Sequence, residues 1–424
     1  MRSVAIVGAS LAGLRSAEAL RQQGFDGRIT VIGAERQLPY DRPPLSKDFL
    51  LGTVEQAGLA LAEDEDYATL AADWRLGVRA ERLDAAGGRL LLSDGSELRA
   101  DGVVIATGGR PRTLPGTKGV AGVHTLRTLD DAIALRTALA EGPANVIVVG
   151  AGFLGAEVAA SARALGLSVT VLEAMDIPLR GAIGPELGAV AGQLHADHGV
   201  RLICGHGVAG LLTSTEPGER RVRMVCLDNG RELPADLVVV AIGMRPNSEW
   251  LAGSPIPVDN GVLTDGGWLT EIPTVAAVGD VARHATASAQ RRHEHWTNAS
   301  DQPSVAIANL LGGRHLGHCD CRGYFWSDQY GVRIQFAGSI AGTDDVRIVA
   351  GSPADRSFLA SYHRDGTTTG VLAMNMAKAF NRARRTLLST LEEDDICRNC
   401  SSGAAGGTRP TAAEPTSSIP SINA

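Results

Sequence analysis

The chain has 424 residues, enough for roughly two or three domains with cores of their own. Its 44 % hydrophobic and 21 % charged content is that of a soluble globular protein, and a net charge of −7 argues against nucleic acid as the main partner. No apolar run reaches membrane-spanning length, the six cysteines show no regular framework, and Met1-Arg2-Ser3 leads straight into an apolar stretch, so neither a membrane anchor nor a signal peptide is expected and the reducing cytoplasm is the expected compartment.

Residues 4–7 read as a buried apolar strand, followed by Gly8-Ala9-Ser10-Leu11-Ala12-Gly13 and a helix to about residue 22. A second strand over 28–32 precedes Glu35. This is a dinucleotide-binding unit with Ser10 in the place of the middle glycine, where a small side chain still lets a phosphate approach. Residues 92–108 read LSDGSELRADGVVIATG, a D-G hairpin turn followed by a β-branched strand that ends at Thr107-Gly108. Residues 146–173 read VIVVGAGFLGAEVAASARALGLSVTVLE and form the strongest pattern in the chain. A four-residue β-branched strand leads into Gly150, Gly152 and Gly155, then into small and apolar residues at helical spacing over 156–165, then into a second strand over 169–172. Gly150 makes the tight turn, Gly152 lets the backbone approach a pyrophosphate, and Gly155 lets the helix lie close on the strand with its N-terminus toward the phosphate charge. Glu173 follows Gly150 by 23 residues; it can accept a hydrogen bond from a ribose 2′-hydroxyl and would repel a 2′-phosphate, which favours NADH over NADPH.

Residues 227–243, LDNGRELPADLVVVAIG, echo 92–108 at a similar offset from their own glycine loop and end at Gly243. Two related nucleotide-binding domains follow from the two echoes. The expected fold is therefore α/β, with two Rossmann-like domains. Two dinucleotides are implied, one a tightly held flavin and the other an exchangeable nicotinamide.

PYDRPPLSKDFL (39–50), ATGGRPRTLPG (106–116), LRTLDDA (126–132), GAGFLGAEVA (150–159), AAVGDVA (276–282), EHWTNASDQ (294–302) and YFWSDQYG (324–331) resemble motifs of the flavin-dependent NADH:ferredoxin reductases, the putidaredoxin reductase type that serves Rieske dioxygenases and bacterial cytochromes P450. The resemblance covers about residues 1–390. It implies a glutathione-reductase-like fold with a discontinuous FAD-binding domain at 1–107 and 242–318, an NADH-binding domain at 108–241 and a C-terminal α+β domain at 319–395. Beyond Leu391 the composition turns acidic, then rich in Ser, Gly, Pro, Ala and Thr, so 396–424 is expected to be a disordered tail. The implied activity is that of a ferredoxin–NAD(+) reductase: FAD takes a hydride from NADH and passes single electrons to a [2Fe–2S] ferredoxin. Alternatives are a reductase for rubredoxin or another small acceptor, and an NADH-sensing interaction protein similar to apoptosis-inducing factor. A monomer or homodimer is expected.

By the same resemblance, Gly8, Ser10, Ala12, Gly13, Glu35, Arg42, Lys47, Ala80, Thr107, Gly108, Arg127, Asp280 and Trp296 would contact FAD. Gly150, Gly152, Phe153, Leu154, Gly155, Glu157, Glu173 and Gly243 would contact NADH. Glu35 would hold the adenosine ribose, and Arg127 a phosphate or the flavin edge. Asp280 reads as a ribityl-hydroxyl acceptor, an N-cap, or both. Trp296 reads as a cofactor contact or a core aromatic, and Trp326 as an exit edge for electrons or packing. Lys47 and Glu157 are expected to meet near the flavin's reactive edge as the catalytic pair; read from the residues alone, Lys47 is equally a solvated lysine after a Pro-Pro turn.

Disulfide reductases carry paired cysteines near the flavin, and peroxide-reducing NADH oxidases carry one. Residues 1–203 contain none, which excludes both mechanisms. Cys397 and Cys400 have redox-motif spacing but precede the loose tail. His315, His318, Cys319 and Cys321 match no standard zinc spacing, so no metal is expected. Arg283, Arg291, Arg292, Arg314 and Arg322 read either as a local basic patch for an acidic ferredoxin or as scattered surface charge.

Overall fold

The computed structural model describes residues 1–85, 87–214, 220–284, 292–317 and 323–402; for 390–402 it describes the backbone alone. The internal echo in the sequence becomes a duplication in space. One parallel sheet runs Val275–Ala277, Gly102–Ile105, Ser3–Val7, Arg28–Gly33, Ala72–Leu76. A second runs Val123–His124, Leu237–Val240, Val146–Val149, Val169–Glu173, Arg201–Cys204. In each, the strand before the glycine loop sits centrally, flanked by the echo strand and by the strand that ends near the acid. Each unit also carries a three-stranded antiparallel sheet with the expected N-G or D-G hairpin, where Gly95 (φ +82°) and Gly230 (φ +80°) occupy the left-handed region.

The central strands are apolar without alternation because both of their faces are covered. Val146, Val148 and Val171 pack into one core, while Ile147, Val149 and Leu172 pack into another on the opposite face. The two crossings between the units form a short antiparallel ribbon, Gly109–Pro111 against Met244–Pro246, immediately after Gly108 and Gly243.

One segment departs from the domain assignment read from sequence. Residues 39–59 lie in the first unit by chain order, yet Tyr40, Leu45, Phe49, Leu50 and Leu59 are buried in the second unit's core against Leu129, Leu135 and Val158. Chain continuity alone does not reveal this, because the segment is held by the short 3-10 turns Pro43–Ser46 and Gln56–Leu59, by a bridge between Tyr40 and Ala60, and by burial. It carries Lys47 across to the second unit.

A third body is an antiparallel sheet ordered Tyr324–Gln329, Val332–Gly338, Thr367–Met374, Ser357–Arg364, Asp345–Ser352. One face, with Phe336, Phe358 and Tyr362, packs on Leu187, Ala191 and Leu194 of the second unit's helix Pro185–Asp197. The other face covers Phe380 and Leu387 of the last helix. A hydrogen bond of 2.7 Å between the Tyr330 hydroxyl and His195 Nδ1 ties this body to the second unit. The last helix spans Ala377–Ser402, so helical backbone continues past 395, where the tail was expected to begin. Its leucines and glutamates favour helix. Residues 403–424 lie outside the described residues.

Candidate functional site

Both glycine loops are built alike. Gly8 (φ +125°) and Gly150 (φ +105°) turn where a Cβ would collide with the carbonyls of Ala106 and Ala241. Gly13 and Gly155 lie against the carbonyls of Gly8 and Gly150, which brings each helix onto its strand. The helices start at Leu11 and Phe153, earlier than residue 156 in the second case, so Glu157 stands just beyond the first turn. Gly152, the N-cap, has nothing within 4 Å of where its Cβ would stand. That open space over free helix N–H groups is what a pyrophosphate requires. Residues of both loops therefore fit a dinucleotide.

The two acids differ in their partners. Glu35 accepts from the Tyr40 hydroxyl at 2.5 Å and from Arg42 Nη2 at 2.6 Å. Arg42 also donates to Ser10 Oγ and to the Arg127 carbonyl, and Arg127 pairs with Asp280 at 2.7 Å. Burial, with the carboxylate beside it, pushes the Tyr40 phenol above its ordinary range. Among the described residues, the Glu173 carboxylate accepts from backbone: Ala151 N of the glycine loop at 2.9 Å and Met175 N at 3.0 Å. Thr107 and Asn247 exchange hydrogen bonds of 2.7 and 3.0 Å beneath the first loop.

A cavity of about 240 Å³ is lined by Ser10, Ala12, Arg42, Gly108, Arg127, Asp280 and Trp296. It shares Pro43, Glu294, His295 and Trp296 with a larger one of about 1200 Å³ that holds Lys47, Phe153, Leu154, Glu157 and Trp326. About half of the expected contact residues line one of these two adjoining cavities; the loop glycines Gly8, Gly13, Gly150, Gly152 and Gly155, the acids Glu35 and Glu173, and Thr107 and Gly243 line neither. Ala80 is not among those lining either cavity; it opens the strand Ala80–Asp84 and packs on the first unit's core. Gly243 (φ +90°) stands at the crossing ribbon, with its carbonyl accepting from Arg112 N. Trp296 lines both cavities, donates Nε1–H to Asp41 at 2.8 Å and lies edge-on to Trp326 with centroids 6.1 Å apart.

Lys47 and Glu157, expected to meet, are in contact. Lys47 Nζ lies 2.8 Å from Glu157 Oε2, with Glu157 only 7 % exposed. A buried carboxylate needs more than one partner to offset desolvation, and this one has four donors. Ser46 Oγ (2.6 Å) shares Oε2 with Lys47, while Ser327 Oγ (2.7 Å) and Asp328 N (3.4 Å) donate to Oε1. Ser161 Oγ in turn donates to the Ser46 carbonyl at 2.7 Å. Ser46 and Ser327 stand inside the motifs PPLSK and YFWSDQYG, but a serine's polarity there gives no sign of its partner. His295, the N-cap residue of the helix Trp296–Gly312, is stacked on Phe325; burial, with His293 beside it, holds its pKa down at about 4.

Of the arginines considered for a basic patch, Arg283 and Arg292 are tied internally. Arg292, 6 % exposed, is bound to Glu294 and to the carbonyls of Asp280 and Asn260, and Arg283, 11 % exposed, is bound to Asp259. These are internal ties, since a buried guanidinium is held where carboxylates and carbonyls neutralise it. Arg314 is exposed. Arg291, Arg322, His318, Cys319 and Cys321 lie outside the described residues, and of the Cys397 and Cys400 side chains nothing is described. His315 pairs with Asp265 at 3.3 Å.

Residues 2–302 match the family described as pyridine nucleotide-disulphide oxidoreductase, and residues 324–395 match the reductase C-terminal domain. The chain is 38 % identical to the ferredoxin–NAD(+) reductase component of the anthranilate 1,2-dioxygenase system of Burkholderia cepacia, over 90 % of this chain and 93 % of that one. It is 34 % identical to putidaredoxin reductase of Pseudomonas putida over 92 % of each chain. The crystal structure of the covalent putidaredoxin reductase–putidaredoxin complex superposes with a TM-score of 0.85 at 33 % identity, covering 91 % of this chain and 93 % of that one.

Proposed function

The chain belongs to the pyridine nucleotide-disulphide oxidoreductase family, and from that footing we propose that it is an FAD-dependent reductase that takes a hydride from NADH and passes single electrons to a [2Fe–2S] ferredoxin supplying a Rieske oxygenase or a cytochrome P450. The observation that carries this reading is the Lys47–Glu157 pair, set where the two glycine-loop units meet, in a chain with no cysteine before residue 204. The names of the relatives point to the same acceptor.

Bound there, the flavin supplies what no side chain can: it accepts two electrons together and releases them one at a time. The rest is positioning. The first unit would hold the flavin's adenosine end through Glu35 and its phosphates at the loop Gly8–Gly13, with Arg42, Arg127, Thr107, Gly108 and Asp280 along the way. Ala80 would serve through its backbone at the edge. The second unit would hold NADH through Gly150, Gly152, Gly155, Gly243 and Glu173, with Phe153 and Leu154 toward the nicotinamide. Lys47 would place its ammonium where negative charge develops, and Glu157 would fix that ammonium. Trp296 and Trp326 would cover the opposite wall. Among the described residues no helix is long and apolar enough to cross a membrane; the cytoplasm, where NADH and a soluble ferredoxin meet, is the proposed site of action.

Mixing the flavin-loaded protein with NADH and a panel of iron–sulfur and other small acceptors tests the reading. Fast reduction of a [2Fe–2S] protein with little oxygen consumption is expected. Slow NADH oxidation with transfer to none of them, or preference for rubredoxin, would contradict it.

A further inference from the structure

The Lys47–Glu157 pair is completed by a residue from the third body. Ser327 is 0 % exposed and lies on the strand Tyr324–Gln329, 170 residues from Glu157 in sequence. Its hydroxyl donates to Glu157 Oε1 at 2.7 Å, and Asp328 N supports the same oxygen at 3.4 Å. Gln329 Nε2 donates to Ser327 Oγ at 3.0 Å. That bond occupies a lone pair of the hydroxyl and turns its proton toward the carboxylate. The opposite oxygen, Oε2, is left to Lys47 and Ser46. The two oxygens thus divide their work: one anchors to the C-terminal sheet and the other holds the cation.

We propose that Ser327 is a positioning residue for hydride transfer, through which the C-terminal body keeps Glu157 aimed so that Lys47 stays at the junction of the two cavities. This deepens the reading of the chain as an NADH-oxidising flavoprotein and rests on it. The argument is geometric. A glutamate side chain on the helix Phe153–Ala164 has rotamer freedom about several bonds, and a single ion pair to a long lysine does not fix it. Anchoring the far oxygen on a sheet packed against the helix Pro185–Asp197 does fix it, because that sheet cannot shift without disturbing the core of Phe336, Phe358 and Tyr362. The groups facing Glu157 are Ser46 and Lys47 from the Pro43–Ser46 turn, and Ser327 and Asp328 from the sheet. Asp328 approaches Arg333 at 3.9 Å. Without the Ser327 hydroxyl, Oε1 keeps Asp328 N at 3.4 Å as its donor from the sheet, and the carboxylate loses its short anchor.

The test compares the full-length, flavin-loaded wild type with Ser327→Ala. Hydride transfer from NADH is followed by stopped flow over a range of NADH concentrations, which separates the transfer rate from the Kd for NADH. In Ser327→Ala the transfer rate is expected to fall about tenfold while the Kd for NADH changes less than about twofold. Ser327→Cys, near in size and a weaker donor, is expected to lose less of the rate, with the same small change in Kd. A wild-type rate in Ser327→Ala, or in Ser327→Cys should Ser327→Ala lose its flavin, overturns the role of Ser327 alone. A wild type that takes no hydride from NADH overturns the reading of the reaction.

Discussion

The two nucleotide-binding units share one sheet order and one loop geometry, yet they treat their acids in opposite ways. Glu35 is tied on both oxygens by side chains, and its partner Arg42 continues into Ser10 and the Arg127 carbonyl. Glu173 is held by two backbone N–H groups, with Met175 beside it 49 % exposed and Leu154 on its glycine loop 38 % exposed. A closed polar cage suits a resident group, whereas an open edge suits a carrier that comes and goes. The difference comes from a short stretch, residues 40–42, that folds over the first loop and has no counterpart near the second.

The largest effect is expected where the units meet. Lys47→Met should slow flavin reduction by NADH about 10²-fold while FAD stays bound, as measured by stopped flow and by flavin retention on gel filtration. An unchanged rate would remove Lys47 from the chemistry. Next come the two acids. Glu35→Gln should weaken FAD binding about tenfold and leave the KM for NADH alone, while Glu173→Gln should raise that KM about tenfold and narrow the preference over NADPH, with flavin retained. If the Glu173 variant sheds flavin instead, the contrast between cage and open edge is wrong. The loops give a smaller and sharper test. Gly152→Ala meets no protein atom, so the melting temperature should hold, but its methyl enters the phosphate space and the KM for NADH should rise about fivefold. Ser10→Gly should change FAD affinity less than about twofold.

The smallest effect concerns the seam with the third body. Burial holds the pKa of His195 down at about 4, with its Nδ1 against the Tyr330 hydroxyl. A histidine kept neutral in the fold costs nothing above its unfolded pKa, near 6.5. As pH falls from there toward 4 the unfolded chain binds the extra proton and stability drops. The urea midpoint should therefore decline across that window, and His195→Gln should flatten the decline.

Much of this was legible in the sequence where local rules operate. Val146–Val149 has the bounds its β-branched run predicts, and Gly95 and Gly230 turn where D-G and N-G predict. The duplication showed in LSDGSELRADGVVIATG and LDNGRELPADLVVVAIG because the same pairing partners demand the same pattern. Resemblance brought Lys47 to Glu157; spacing could not, since 110 residues separate them. Ser46 and Ser327 were missed because a buried serine donor has no periodicity and no composition of its own. Arg283 and Arg292 were open to two readings for a related reason: charge is visible in sequence, but whether it faces water or a buried carboxylate depends on elements far along the chain. The packing of the Tyr40–Leu59 segment on the second unit was not legible, because chain order does not show which core a segment enters.

The central claim is that reducing power crosses between two carriers held by twin units with no thiol of the protein taking part. A variant with all six cysteines replaced by alanine, loaded with FAD and mixed with NADH without oxygen, tests it directly. The flavin colour should bleach at the wild-type rate. Bleaching that is lost or slowed at least about tenfold in a folded, flavin-retaining variant would contradict the account.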